Sequence, residues 1–163
     1  MSNPKKNYIT PTGYQKLMDE RDHLIKTERP EVAKVVSWAA SLGDRSENAD
    51  YQYGKKKLRE IDRRMRFLNT KINTAVVVDP ETQTGERVQF GATVTTKDEE
   101  GNTKTYSIVG QDEIDPKARL ISWNSPIASA LLGKEAGDEV EVKGPQGNVS
   151  YEIVEIKFRK INF

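Results

Sequence analysis

Ser41-Leu42-Gly43-Asp44-Arg45-Ser46 decides the fold, because a helical apolar pattern runs up to it, stops, and starts again beyond it. Gly43 suits the left-handed position after a helix, and Asp44 or Ser46 suits the cap of the next one, so the stretch predicts a chain reversal. Upstream, Tyr14, Met18, Arg21, Ile25, Glu28, Val32, Val35, Ala39 and Leu42 recur at alternating spacings of four and three, with Leu17, Leu24 and Trp38 widening the stripe. Downstream, Tyr51, Gly54, Leu58, Ile61, Met65, Leu68 and Ile72 keep the same rhythm. Two such seams on either side of a reversal predict an antiparallel α-helical coiled-coil hairpin over residues 1–78. Pro30 lacks a donor and crowds the turn before it, so a kink or short break is expected there, with the arm resuming at Glu31. An arm of roughly 30 residues rises about 45 Å, which puts residues 43–48 on a distant tip.

Beyond Pro80 the period changes to two. Strands are predicted at 92–97, 103–110, 120–123, 139–143 and 149–158, with turns at Asp98-Glu99-Glu100-Gly101-Asn102 and Gly144-Pro145-Gln146-Gly147-Asn148. Between strands, Ser125 as cap, Pro126 at the first helical position and Gly133 as terminator outline a short helix. The class is therefore α+β with two domains, 1–78 and 79–163, the second a small antiparallel β domain with one short helix.

Composition narrows the chemistry. The 163 residues contain no cysteine and one histidine, which excludes disulfides, thiolate metal sites, cysteine nucleophiles and an ordinary Ser-His-Asp apparatus. No glycine-rich phosphate loop joins a strand to a helix. Met1-Ser2-Asn3-Pro4-Lys5-Lys6 is followed by no apolar leader, and no run of about eighteen apolar residues occurs, so a cytoplasmic protein without a membrane partner is expected. The net charge of +1 hides an asymmetry: 16 basic against 10 acidic side chains in residues 1–75, and 10 against 15 in the remainder. Such a chain can put a basic surface near nucleic acid while its acidic half meets a protein.

The tip string Gly43-Asp44-Arg45-Ser46-Glu47-Asn48-Ala49-Asp50-Tyr51 places three carboxylates in seven residues. One reading is structural, since Asp44-x-x-Glu47 matches a capping box. The other is that Asp44 and Glu47 present hard oxygen ligands for Mg²⁺; two carboxylates cannot complete such a site, but a partner could supply the rest. Asp50, on the helix wall, reads as structural. Behind the tip, Lys55, Arg59 and Arg63 follow one another at spacing four and Lys56 lies beside them, a row that is either a solvated face or a phosphate-binding one.

The string from Ser41 to Tyr51, preceded by Arg29-Pro30-Glu31-Val32 and Trp38-Ala39-Ala40 and followed by Leu58-Arg59-Glu60-Ile61-Asp62-Arg63-Arg64, closely resembles the bacterial Gre transcript cleavage factors, a family of transcription elongation factors. The basic second arm and the Trp-Ala-Ala-Ser-Leu-Gly lead-in look like the GreB type. The likeness extends to Phe90-Gly91-Ala92, Ile108-Val109-Gly110, Asp112-Glu113-Ile114, Ser125-Pro126, Ala130-Leu131-Leu132 and Gly137-Asp138-Glu139-Val140, so it covers essentially the whole chain.

The resemblance implies an accessory factor rather than an enzyme. In that family the hairpin enters the secondary channel of RNA polymerase, a C-terminal domain of FKBP-like fold holds the channel rim, and the tip acids help the polymerase cleave backtracked nascent RNA. Carried over, those acids are Asp44 and Glu47, expected to share a Mg²⁺ with the polymerase centre, with Glu47 open to a role as base instead. The implied contacts to the RNA 3′ end fall on Arg45, Lys55, Lys56, Arg59 and Arg63, and the implied polymerase grip on Asn124, Ser125 and Pro126. Asn124 stands where the family pattern has an acid, a departure that removes a charge from that grip. A homologue that occupies the channel and inhibits cleavage is the alternative. No cofactor of its own is expected, and a monomer is, since the two seams satisfy each other within one chain.

Overall fold

In the computed structural model, which describes residues 6–45 and 47–163, the chain divides into two compact units, one of residues 15–74 and the other of residues 6–14 with 75–163. This grouping departs from the expected border between 78 and 79. Strand β1 (Asn7–Ile9) pairs in parallel with β2 (Ala75–Val77), and Val78 N–H donates to the Ile9 carbonyl at 2.9 Å. Neither strand was legible as such, since three residues are too few to show a period.

Helix α1 (Pro11–His23) runs into a π-helical turn, Leu24–Glu28, and then into α2 (Arg29–Ser41); α3 (Ala49–Asn73) forms the return arm. The contacts between arms run antiparallel: Asn48 meets Ala39, Gly54 meets Val36, Lys57 meets Glu28, Asp62 meets Arg29 and Arg64 meets Glu20. The hairpin is thus as expected, but the arm does not break at Pro30. Arg29 N–H bonds back five residues to the Leu24 carbonyl, and this wider turn makes room for the proline ring without ending the helix.

The extra residue in that turn changes the phase of the seam. Leu17, Leu24 and Ala39 are the buried positions of the first arm and Val36 packs against the second, while Ile25, Val35 and Leu42, expected in the row, are 44%, 48% and 61% exposed. The second arm follows its predicted row, with Gly54, Ile61 and Leu68 buried and Tyr51, Leu58, Met65 and Ile72 half-buried between them.

In the second unit, β3 (Thr93–Asp98), β4 (Thr103–Val109), β5 (Leu120–Ser122), β6 (Glu139–Gly144) and β7 (Gly147–Lys157) form one sheet in the order β5-β4-β3-β7-β6. The predicted strands are all present, but the sheet is mixed rather than antiparallel: β5 runs parallel to β4, since the segment 110–119 returns the chain to the same end before β5 starts. Asp98 shapes the β3–β4 turn by accepting from Glu100 and Asn102 N–H, both at 2.9 Å. Helix α4 (Pro126–Leu131) covers the sheet, placing Ala128 and Leu131 in a core with Val88, Ala92, Val94, Ile108, Val140 and Ile153. Tyr8 of β1 is tied to this unit by edge-on contact with Trp123, ring centroids 5.3 Å apart. No helix among the described residues is long and apolar enough to cross a membrane.

Candidate functional site

The loop between α2 and α3 is built by two end-groups. At its start, Gly43 takes φ +106°, the left-handed turn that a side chain would disfavour, and donates its N–H to the Ala40 carbonyl at 3.3 Å. At its end, the cap of α3 is Asn48 rather than Asp44; Ser46, the other expected cap, lies outside the described residues. Asn48 Oδ1 accepts from Tyr51 N–H at 3.1 Å, and Asn48 Nδ2 donates to the Ala39 carbonyl at 2.9 Å. A capping box at Asp44 and Glu47 is therefore not what starts α3. The sequence reading missed Asn48, although asparagine ranks among the best caps; Gly43, five residues earlier, drew the cap position too far upstream.

Asp44 and Glu47 are both exposed on this loop. Asp50, also exposed, sits in the first turn of α3, where a carboxylate favours the positive helix end. Among the described residues no three His, Asp or Glu side chains converge to hold a metal. Asp44 and Glu47 offer the donor type Mg²⁺ takes but only part of the shell such an ion needs. Arg45 extends over the Tyr51 ring, 5.7 Å from its centroid, and its carbonyl accepts from Gln52 Nε2 at 2.8 Å.

Ion pairs sort the basic residues behind the tip. Lys57 meets Glu28 at 3.6 Å, and Arg64 binds Glu20 through two bonds of 2.5 and 2.9 Å. Asp62 is claimed by Arg29 at 2.9 and 3.5 Å. The hydrogen-bonded guanidinium of Arg29 holds the Asp62 carboxyl below its ordinary value, and Arg64 does the same to Glu20. By contrast Lys55, Lys56, Arg59 and Arg63 are exposed and, among the described residues, enter no ion pair within the hairpin. With Arg66 they fall within an arc of about 100° on α3, on the side away from Gly54, Ile61 and Leu68.

Asn124, Ser125 and Pro126 begin α4. Ser125 Oγ accepts from Ala128 N–H at 3.3 Å, Pro126 takes the first turn, and Asn124 Oδ1 accepts from the Ser122 hydroxyl. Asn124 and Pro126 are exposed, so the helix start and an outward-facing surface coexist. Trp38, expected to pack at the seam edge, is 56% exposed.

Two family profiles match the chain: "Transcription elongation factor, N-terminal" over residues 7–77 and "Transcription elongation factor, GreA/GreB, C-term" over residues 82–158. The chain is 50% identical over 163 residues to a protein named transcription elongation factor GreB from Neisseria meningitidis serogroup B, covering 99% of this chain and all of that one. It is 48% identical over 155 residues to transcription elongation factor GreB of Yersinia pestis, covering 95% and 91% of the two chains. Among solved structures, the GreA factor homolog 1 of Thermus thermophilus aligns over 93% of this chain and 99% of its own at 24% identity and a TM-score of 0.43.

Proposed function

Starting from the chain's membership of the GreA/GreB family of transcription elongation factors, in its GreB branch, we propose that it is an accessory factor that binds RNA polymerase in the cytoplasm and stimulates the polymerase's own cleavage of backtracked nascent RNA. The hairpin enters the secondary channel, and the second unit, read as an FKBP-like module, grips the channel rim through Asn124, Ser125 and Pro126. The observation that supports this reading is the division of labour at the tip: Asn48 caps α3, and Asp44 and Glu47 are exposed on the loop it closes. Carboxylates delivered to a phosphodiester from outside have to be accessible, and both residues are exposed.

Within the complex, Asp44 and Glu47 would hold a Mg²⁺ shared with the polymerase through their carboxylate oxygens, and Glu47 would also orient the attacking water. When bound, such an ion neutralises charge that develops on the cleaved phosphate. Arg45, Lys55, Lys56, Arg59 and Arg63 hold the displaced RNA 3′ segment through its phosphates, contacts that read charge and carry little sequence preference. The factor alone hydrolyses nothing, because its two tip carboxylates supply neither a full metal shell nor a bound substrate.

The test is a cleavage assay on purified RNA polymerase halted in a backtracked state. Asp44→Asn keeps the size and hydrogen bonding of the side chain and removes the charge, so stimulation should fall on the order of a hundredfold. Cleavage at the unaltered rate by that variant would refute the proposed role of the tip. A wild-type chain that slows cleavage would instead identify a channel-blocking inhibitor.

A further inference from the structure

Asn48 makes two bonds of different purpose with one side-chain amide. Its oxygen caps α3 at Tyr51 N–H, as any good cap residue would, while its nitrogen reaches across the hairpin to the Ala39 carbonyl in the last turn of α2. Ala39 itself has no exposed surface, and its carbonyl also takes the Leu42 N–H at 3.2 Å. The second bond has nothing to do with starting a helix. It joins the last turn of one arm to the cap residue of the other, so that Asp44 and Glu47 lie on a loop closed at its base. Gly43 turns the chain, and its N–H bond to the Ala40 carbonyl stays on the side of α2.

From this geometry we infer that Asn48 is a positioning residue for the tip carboxylates, holding the loop at the width and orientation at which Asp44 and Glu47 reach a metal ion together. The inference rests on the proposed cleavage function and names the device that sets the geometry of that same site. Glu47 is the immediate neighbour of the clamp, so a change in how the loop closes is transmitted to its backbone directly. Two ligands of one ion tolerate little relative displacement, since effective concentration collapses when reacting groups are misplaced by an ångström.

Asn48→Ser separates the two bonds. Serine caps a helix about as well as asparagine, but it has no amide nitrogen to span the gap to Ala39. The experiment uses the full chain with polymerase halted on backtracked RNA, and measures the maximal stimulated rate, the factor concentration at half-saturation and the Mg²⁺ concentration at half-maximal rate. We expect Asn48→Ser to lose about tenfold in maximal rate and to need more Mg²⁺, with half-saturation by the factor changed less than about twofold. In an Asp44→Asn background the same substitution should cost much less than in the wild type, because the pair it positions is already broken. Asn48→Asp, which also caps but turns a carboxylate toward the Ala39 carbonyl, should behave like Asn48→Ser while keeping its helical circular dichroism. Unaltered maximal rate and Mg²⁺ dependence in both variants would overturn the inference, as would a defect confined to polymerase binding. If Asp44→Asn is itself fully active, the cleavage reading fails along with it; if Asp44→Asn is inactive and Asn48→Ser is not, only the clamp fails.

Discussion

Gly54 and Val36 lie so close across the hairpin that a β-carbon on residue 54 would stand 2.5 Å from Val36 Cγ2. The glycine is there for the neighbouring arm, since its own backbone is ordinary helix. Gly54→Ala improves helix propensity by about 1 kcal/mol, but the methyl group strikes a β-branched side chain with one favoured rotamer in a helix, and such overpacking costs about 1–3 kcal/mol. Net destabilisation is expected in urea unfolding, and Val36→Ala should reverse it in the double variant. A stabilised single variant would show that the arms can part at this level without cost.

Glu113 organises the start of α1 from 103 residues beyond Thr10. Its buried carboxylate accepts from Thr10 N–H at 3.2 Å, from the Thr10 hydroxyl, and from Gly110 N–H at 2.7 Å, while Thr10 in turn takes the Gly13 N–H. Glu113→Ala strands those donors, so a loss of at least about 2 kcal/mol is expected in equilibrium unfolding. Gly13→Ala should do comparable damage, because its β-carbon would fall 2.1 Å from Glu113 Oε1. Wild-type stability in either variant would contradict this account.

The basic face of α3 makes a length-dependent prediction. Lys55→Glu combined with Arg59→Glu should slow cleavage of long backtracked RNA more than of short, and raising salt should weaken the wild type in the same selective way. Equal effects on both lengths would argue that these side chains are solvation alone.

The pairs Arg29–Asp62 and Arg64–Glu20 predict an acid sensitivity of the hairpin. Both carboxyls are held below their ordinary values by the guanidinium they bond. Their stabilisation is therefore complete above the unfolded carboxylate value, about pH 4, and is lost as pH falls through the lower folded values. Both pairs are substantially exposed, so each contributes only about 0.2–1 kcal/mol. Thermal melting followed by helical circular dichroism should show a modest extra loss below about pH 4 that Asp62→Asn with Glu20→Gln removes. An unchanged acid limb in that variant would assign the loss to other carboxylates.

The contrast between the two arms shows where sequence stops being sufficient. From Tyr51 to Ile72 the heptad row predicted burial position by position, because an uninterrupted helix keeps its phase. From Tyr14 to Leu42 the same procedure put Val35 in the core where Val36 packs, because the π-turn before Pro30 inserts a residue that shifts every position beyond it, and it put Ile25 there although Leu24 is the residue that turns inward. Strands β1 and β2 escaped notice for a related reason: residues 7 and 75 meet as neighbours, and nothing local in either tripeptide announces the other.

Residue type and spacing by themselves determined that this chain is a helical hairpin followed by a small β domain, with an acidic turn and a basic return arm, since turn chemistry and periodicity act over a few residues. Which cations are already spoken for and what holds the root of α1 were decided by contacts between segments far apart in the chain. Those depend on where two side chains arrive once the backbone is folded, and Arg64 against Glu20 and Glu113 against Thr10 are the cases that matter most here.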